Sequence, residues 1–339
     1  MTPSPSVLRA TTGPLADEYD AVFVDLDGVV YIGEEPIPPA VAGLAKLRDA
    51  GTRVVFITNN ASRTPEQVAD RLMRLGVAAE PDDVVTSAQA AATLVRDHCG
   101  PGARVLVTGS PALRHELRAA GLHPVGSVDD RPDAVVQGYA PDLTYHDLAE
   151  AALAVQSGAL WIATNADTTL PDPRGMLPGN GALVAAVATA TGRQPLIAGK
   201  PARALFDEAR RRTGADRPIV VGDRPETDVA GARGAGIDVM LVLSGVTTPG
   251  VLVTVPPAQR PTYLAADLLG LLDVHPAVEA DAGRARCRRW TAYVDGGRVV
   301  LDGDGDRVDA LRAVLGCVWS AVDAGVAQPD ASEALRRIG

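Results

Sequence analysis

The sequence contains few cysteines, few aromatic residues and no long apolar segment. Its 339 residues include three cysteines, and aromatic residues make up 4% of the total. The cysteines stand at positions 99, 287 and 317 and form neither a Cys-x-x-Cys pair nor a Cys/His cluster, so the pattern indicates neither a disulfide framework nor a zinc site. No apolar run approaches the ~18 residues that a membrane-spanning helix needs. These absences predict a cytoplasmic protein with reduced thiols and no membrane partner.

The chain also lacks an excess of basic residues. Its formal net charge is −10, which argues against a nucleic-acid partner held on a basic face. It does not exclude a phosphorylated substrate, because a bound metal, a lysine and helix N-termini can make one site locally positive. Residues 1–18 are rich in Pro, Thr and Ala and lack an apolar signal-peptide core, so they are predicted to form a flexible leader.

The ordinary globular composition that remains is arranged as alternating strands and helices. The apolar runs 21–27 and 53–58 have the pattern of strands buried on both faces. Segment 38–51 has apolar residues at helical spacing and ends on a glycine, and segment 64–76 opens with a Thr-Pro capping-box pattern. This alternation predicts an α/β fold with a Rossmann-like parallel sheet.

The alternation divides the chain into regions. A middle section has its own strands and helices, after which the first pattern resumes and ends in a Pro-rich stretch. The tail contains a predicted hairpin around Asp295-Gly296-Gly297 and an amphipathic helix over 306–325, typical of a small separate α/β module. The predicted organisation is a leader at 1–18, a catalytic core at 19–82 and 190–262, an inserted α/β domain at 83–189, and a C-terminal module at 263–339.

Polar clusters follow several of the apolar strands. In an open α/β sheet, ligands bind beyond the carboxyl ends of the strands, so clusters that follow different strands can converge on one crevice. The clusters in chain order are Asp25 with Asp27, Thr58 with Asn59 and Asn60, Lys200, and Asp223 with Asp228.

Together these residues favour phosphoryl transfer. Carboxylates gathered at one point repel each other by about 4 kcal/mol per pair at 4 Å and an effective dielectric of 20, so they call for a cation, and hard oxygen ligands select Mg²⁺. Asp25, at the strand end, is placed to attack phosphorus, and Asp27 is placed to move protons as an acid and base. A hydroxyl and a lysine would hold the phosphoryl oxygens.

Each cluster alone has a simpler interpretation. Asp-x-Asp-Gly is common at turns, and Thr-Asn-Asn can be a loop or a helix cap. Lys200 before a proline can be a solvated side chain at a helix start, although a cation there opposes the helix dipole. The late aspartates can cap a helix. Four such clusters in this order favour one catalytic site over four coincidences.

The motifs "VDLDGVVY", "TNN", "GKP" and "VGDRPETD" resemble, in order, the four motifs of the haloacid dehalogenase superfamily of aspartate-nucleophile phosphatases. The resemblance implies that Asp25 is nucleophile and metal ligand and that Asp27 is the acid/base, with its main-chain carbonyl on Mg²⁺. It also implies that Thr58 and Lys200 hold the phosphoryl group. Asp223 would be a further metal ligand, and Asp228 would lie behind the ligands and support them.

Spacing narrows the resemblance to one branch. About 30 residues separate Asp27 from Thr58, whereas about 140 separate Thr58 from Lys200, far more than a connecting loop needs. A cap domain inserted there resembles the class IIA branch, which includes NagD-type, pyridoxal-phosphate, phosphoglycolate and glycerol-phosphate phosphatases. A cap excludes water and sets specificity, and cap-to-cap homodimers occur in the branch. The residues predicted to contact substrate are Gly28, Asn59, Asn60, Arg63, Asn165, Asp167 and Thr168, with a hinge loop as the alternative for 165–168.

The tail is similar to that of actinobacterial glycerol-3-phosphate phosphatases, whose C-terminal segment resembles part of an acetyltransferase fold. A module this short is not expected to transfer acetyl groups, and a packing, dimerising or ligand-sensing role is predicted. The favoured function is a Mg²⁺-dependent phosphomonoesterase acting on a small phosphate monoester, first of all glycerol 3-phosphate. The alternatives are a phosphatase of pyridoxal phosphate, phosphoglycolate or a sugar phosphate, a phosphomutase, and a non-enzymatic phosphate sensor.

Overall fold

A computed structural model describes residues 8–172 and 174–339 of the chain. The chain forms two compact units: unit 1 contains the residues up to Val54 together with Ala215–Gly339, and unit 2 contains Val55–Gly214. No helix in the described residues is long and apolar enough to cross a membrane.

The strands are short, as expected of runs that alternate with helices. In chain order they are β1 (Ala21–Asp25), β2 (Tyr31–Ile32), β3 (Glu35–Pro36), β4 (Arg53–Thr58), β5 (Val84–Thr86), β6 (Arg104–Thr108), β7 (His123–Val125), β8 (Ala134–Gln137), β9 (Leu160–Ala163), β10 (Thr169–Asp172), β11 (Gly175–Pro178), β12 (Leu196–Ile197), β13 (Pro218–Gly222), β14 (Asp238–Val242), β15 (Tyr263–Ala265), β16 (Val278–Asp281), β17 (Arg284–Cys287), β18 (Trp290–Asp295) and β19 (Arg298–Asp302).

The α-helices follow the predicted alternation, and α2 begins at the capping box anticipated at Thr64. In chain order they are α1 (Pro38–Asp49), α2 (Pro65–Arg74), α3 (Ser87–Cys99), α4 (Pro111–Ala119), α5 (Tyr145–Gln156), α6 (Asn180–Thr191), α7 (Ala204–Thr213), α8 (Ala230–Gly234), α9 (Pro249–Leu252), α10 (Arg307–Asp323) and α11 (Ser332–Ile338).

Unit 1 contains four parallel strands in the order β15-β14-β13-β1. These runs are almost entirely apolar because helices cover both faces of such a sheet, and residues 21–24 of β1 are fully buried. The register pairs Val24 with Val221. Asp25, the last residue of β1, and Asp223, which follows β13, are therefore carried to the same end of the sheet.

The N-terminal segment is more firmly held than the predicted flexible leader. Residues 1–7 of that prediction lie outside the described residues. From residue 8 onward the main chain is tied to the end of the core, since the Arg9 and Leu15 N–H groups donate to the carbonyls of Thr262 and Asp273. Leu15 is fully buried. The Pro/Thr/Ala-rich composition gave no sign of this packing, in which Leu8 is buried as well as Leu15.

Unit 2 contains a five-stranded parallel sheet in the order β12-β9-β8-β6-β7. It also contains residues 55–58 of β4, which pairs in parallel with β5. One face of the five-stranded sheet packs Val135 and Trp161 against α5 and α6, where Val184 and Val187 complete the core. The predicted α/β character of this middle section is confirmed.

The tail forms the antiparallel sheet β16-β17-β18-β19, and the predicted hairpin is confirmed as β18 and β19. The predicted amphipathic character of the tail helix is wrong, because residues 309–321 of α10 are buried on every side. Trp319 donates to the carbonyl of Leu252, and Arg312 donates to that of Leu264. The helix thus packs on its own sheet and contacts strand β15 and helix α9 of unit 1. Strand β15, predicted to open the C-terminal module, pairs with core strand β14.

Candidate active site

Unit 1 gathers three carboxylates at the carboxyl end of its parallel sheet. Asp25, Asp223 and Asp228 each offer an oxygen, and these oxygens lie within 4.8 Å of one another. Asp25 is half-buried, whereas Asp223 and Asp228 are buried. Such a group of oxygens can hold a metal ion, and it is the one such group found among the described residues.

Local backbone structure fixes the two buried carboxylates. The Oδ2 atom of Asp223 accepts a hydrogen bond of 2.8 Å from the N–H of Val246. Asp228 lies in a π-helical turn, Pro225–Val229, and its Oδ2 accepts from the N–H of Arg224 at 3.1 Å. Each carboxylate therefore has a fixed direction.

Three glycines leave room for this cluster. A methyl group built on Gly28 or Gly245 would overlap Oδ2 of Asp223, and one built on Gly222 would overlap the side chain of Asp228. Gly28 also has a φ of +84°, a conformation that L-residues with a side chain rarely adopt. The carboxylates can approach this closely because main chain without side chains surrounds them.

The chemistry of the donors fits a divalent cation. Without a bound cation, three carboxylates at this separation would repel each other by several kcal/mol in total at an effective dielectric near 20. Mg²⁺ prefers oxygen ligands and is held by one or two carboxylates together with water and substrate phosphate. Asp25, Asp223 and Asp228 would hold the ion.

Asp27 differs from the three clustered carboxylates in its exposure. Its side chain is exposed, and its main chain forms an isolated bridge with Tyr31 at the start of the β2–β3 hairpin. The turn is closed by the N–H of Gly28, which donates to the carbonyl of Tyr31, while Ser244 Oγ donates to the carbonyl of Gly28. An exposed carboxyl on a fixed turn can exchange protons with a substrate or with water.

The remaining candidate residues belong to unit 2. Thr58 is the last residue of β4, is 5% exposed, and accepts a hydrogen bond from the N–H of Asn60 at its Oγ1. Lys200 is 3% exposed, an unusual degree of burial for a lysine. The carboxamide of Asn59 donates to the carbonyl of Lys200 through Nδ2 and accepts from the N–H of Lys200 through Oδ1. Unit 2 therefore brings Lys200 and the loop after β4 together.

The segment that carries Lys200 is held by the helix that follows it. In α7, Glu208 is 2% exposed, and it accepts hydrogen bonds from Arg211, Arg212 and the Thr93 hydroxyl of α3. Burial opposes the charged form of Glu208, but the hydrogen bonds from the arginines outweigh it and lower the pKa of this carboxyl. The charged carboxylate thus fastens α7 to α3.

The predicted substrate contacts have different surroundings. Asn165 is buried, with its amide donating to the carbonyl of Asn59 and its Oδ1 accepting from the N–H of Asp167. Asn60 is exposed and accepts from Ser62. Arg63 and Asp167 are half-buried, and Thr168 is exposed, so their side chains are accessible to solvent. Contacts of these residues with substrate stay predictions.

Sequence reasoning missed Gly222 and Gly245 as parts of the site, together with Ser244. The segment "LSGVTT" does resemble the class IIA branch, but its role in the site is only visible once β14 ends beside β13. The available signal was Gly222, which directly precedes Asp223 in the motif "VGDRPETD".

Comparison with known proteins places the chain in a family. A haloacid dehalogenase-like hydrolase model matches residues 22–123, and a second HAD-hydrolase-like model matches residues 197–271. A GCN5-related N-acetyltransferase-like domain model matches residues 287–339.

Curated relatives and solved structures agree with these matches. A D-glycerol 3-phosphate phosphatase of Mycobacterium tuberculosis is 46% identical over 318 residues, which cover 91% of this chain and 88% of the relative. An acid sugar phosphatase of Staphylococcus saprophyticus is 39% identical over 254 residues, covering 74% and 95% of the two chains. A glycerol phosphate phosphatase structure from M. tuberculosis in complex with magnesium superposes with a TM-score of 0.86 at 43% identity, covering 96% of this chain and 98% of that one. The chain therefore belongs to the haloacid dehalogenase-like hydrolase family, among its phosphatases.

Proposed function

We propose that the protein is a Mg²⁺-dependent phosphomonoesterase that hydrolyses glycerol 3-phosphate to glycerol and phosphate. The observation that carries the proposal is the group of three carboxylates, Asp25, Asp223 and Asp228, whose oxygens lie within 4.8 Å. It is supported by the relative from M. tuberculosis, a D-glycerol 3-phosphate phosphatase, and by the solved structure of such an enzyme with magnesium.

Asp25 is the proposed nucleophile. One carboxylate oxygen attacks phosphorus as the bond from phosphorus to the glycerol oxygen breaks, which leaves an aspartyl-phosphate on Asp25. Its half-buried position at the end of a fixed strand supports this role, because a nucleophile needs both access and a defined direction. A bound Mg²⁺ would supply positive charge that offsets the carboxylates and the phosphoryl oxygens.

Asp27 is the proposed acid and base. It gives its proton to the departing glycerol oxygen and then takes one from the water that attacks the aspartyl-phosphate, so that the phosphorus–Asp25 bond breaks and both residues are restored. Thr58 and Lys200 would hold the phosphoryl oxygens through a hydroxyl and an ammonium group. The burial of Lys200 supports its role, since an ammonium group shielded from bulk water attracts phosphoryl oxygens more strongly than an exposed one does.

The choice of glycerol 3-phosphate over a sugar phosphate depends on how much of this chain each relative matches. The alignment with the glycerol 3-phosphate phosphatase covers 91% of this chain, whereas that with the acid sugar phosphatase covers 74%. The relative that extends over more of this chain supports the smaller polyol phosphate as substrate. A sugar phosphate is the second candidate because the acid sugar phosphatase is 39% identical to this chain over 254 residues.

A substrate panel tests the proposal. The full chain is assayed for phosphate release from glycerol 3-phosphate, glucose 6-phosphate, phosphoglycolate and pyridoxal phosphate, with Mg²⁺ and with EDTA. We expect the highest kcat/KM for glycerol 3-phosphate and no turnover with EDTA. A higher kcat/KM for another ester would overturn the substrate, and turnover undiminished by EDTA would overturn the metal requirement.

We further propose a cytoplasmic location and a homodimer. The three cysteines are free thiols, which suits a reducing compartment. The dimer derives from the class IIA resemblance, and sedimentation equilibrium of the full chain distinguishes it from a monomer.

A further inference from the structure

The carboxamide of Asn59 holds the main chain of Lys200 at two points. The N–H of Lys200 donates to Asn59 Oδ1 at 2.7 Å, and Asn59 Nδ2 donates to the carbonyl oxygen of Lys200 at 3.1 Å. One side chain thus engages both the amide hydrogen and the carbonyl of a single residue that lies 141 positions later in the chain. Such a two-point contact fixes orientation as well as distance, since neither bond alone would prevent rotation.

The surrounding main chain leaves little room for this contact to change. A methyl group built on Gly199 would lie 2.5 Å from Asn59 Oδ1 and 2.6 Å from the carbonyl oxygen of Thr164. The carbonyl of Asn59 itself accepts from Ser87 Oγ at 2.6 Å and from Asn165 Nδ2 at 2.9 Å. Asn59 is therefore fixed at its own backbone while its side chain fixes Lys200.

The remaining hydrogen-bonding capacity of the amide is small. The second contact of Nδ2, to Asp167 Oδ2, is 3.4 Å long, beyond the usual range for a strong N–H···O bond. The two shorter bonds both go to Lys200. A direct contact between this amide and a substrate would have to compete with them, so the geometry favours a role that acts through the lysine.

We propose that Asn59 is a positioning residue that sets the direction of the Lys200 ammonium group toward the phosphoryl oxygens. The inference rests on the proposed function, in which Lys200 holds those oxygens. The position of a reacting or stabilising group matters steeply, because a displacement of about 1 Å can lower the rate by ~10²-fold. Loss of the amide should thus reduce turnover without altering the metal ligands, which belong to other segments.

The test is a double-mutant cycle on the full chain with glycerol 3-phosphate as substrate. The variants are Asn59→Ala, Lys200→Ala and the combination of both. We expect Asn59→Ala to lower kcat by ~10–100-fold while KM and the half-saturating Mg²⁺ concentration change by less than about threefold. In the Lys200→Ala background, the same substitution should lower kcat by less than about twofold, because the residue through which it acts is gone.

A matched control removes a different hydrogen bond from the same loop. Ser110 Oγ donates to the carbonyl of Ala61, in the loop that follows β4, at 2.9 Å. Ser110→Ala should therefore keep kcat within about twofold of the wild type. If Asn59→Ala does not fold, Gly199→Ala takes its place in the cycle, since its methyl group would push against the same carboxamide.

The outcomes separate this proposal from the proposed function. A wild-type chain that does not hydrolyse glycerol 3-phosphate, or a Lys200→Ala variant at wild-type rate, would overturn the function on which the inference rests. An active wild type and an impaired Lys200→Ala variant, with Asn59→Ala at wild-type rate, would overturn the positioning role alone. Losses that multiply fully in the double variant would also overturn it, because they would show that Asn59 acts independently of Lys200.

Discussion

The substitution Gly245→Ala should impair metal binding and catalysis while the protein still folds. Gly245 is not one of the three clustered carboxylates. A methyl group at this position, however, would overlap Asp223 Oδ2 and lie 2.5 Å from Asp223 Cβ and Cγ. Asp223 is 1% exposed and its Oδ2 is already held by the N–H of Val246, so the carboxylate has little room to retreat. The methyl group must displace the carboxylate, the loop or both.

The size of the effect follows from this displacement. A shift on the order of 1 Å costs about 10²-fold in rate at a reacting centre. Disturbing a group that orients a metal ligand typically costs ~10–100-fold in metal affinity. Overpacking costs about 1–3 kcal/mol of stability, which a protein of ordinary stability survives. We therefore expect folded protein with a lower kcat and a higher half-saturating Mg²⁺ concentration.

The assay is a Mg²⁺ titration of phosphate release from glycerol 3-phosphate, with thermal melting followed by circular dichroism. Gly250→Ala is the matched control, because Gly250 lies in α9 and the nearest atom to its added methyl group is Thr248 Oγ1 at 3.8 Å. Wild-type kcat and Mg²⁺ dependence in folded Gly245→Ala protein would refute the placement of Asp223 as a metal ligand.

Three further predictions concern protonation. Asp27→Asn should lower kcat by ~10²–10⁴-fold at nearly unchanged Mg²⁺ dependence, because a proton donor is lost while the clustered carboxylates remain. Steady-state kinetics over a series of Mg²⁺ concentrations checks this prediction. A small loss of kcat would contradict the acid/base role. Burial lowers the pKa of His275 below its ordinary 6.5, so as the pH falls His275 takes up a proton more readily in the unfolded chain than in the folded one. The free energy of unfolding should therefore decrease as the pH drops below ~6.5. Urea unfolding from pH 8 to 5 should show that His275→Gln loses less stability than the wild type. Burial raises the pKa of Cys287 to about 12 and of Cys317 to about 11, so both should alkylate far more slowly than Cys99 with iodoacetamide at pH 8, and equal rates would contradict their burial.

The strands of the site could be predicted from the sequence because buried parallel strands correspond to short apolar runs with polar residues at their ends. Asp25 at the end of β1 and Asp223 directly after β13 are such cases, and the register of these two strands places them at one end. The motif order and the resemblance to the haloacid dehalogenase superfamily then gave the family, which the comparisons confirm.

Close packing could not be predicted in the same way. The contacts of Gly245 with Asp223 and of Asn59 with Lys200 join residues far apart in the chain, and no local pattern signals them. The burial of α10 on all sides was also missed, because charged residues such as Asp309 and Arg312 suggest an exposed face. In the structure they pair with each other at 2.5 Å and are buried together.

The central claim is that Asp25 carries the phosphoryl group during hydrolysis. The most direct measurement is to quench the full chain during turnover of glycerol 3-phosphate, reduce it with borohydride and map its peptides by mass spectrometry. An aspartyl-phosphate at position 25 would be reduced to homoserine, and we expect this product at residue 25 only when substrate is present. Reduction at a different carboxylate, or an unmodified residue 25 in protein trapped while turning over, would contradict the account.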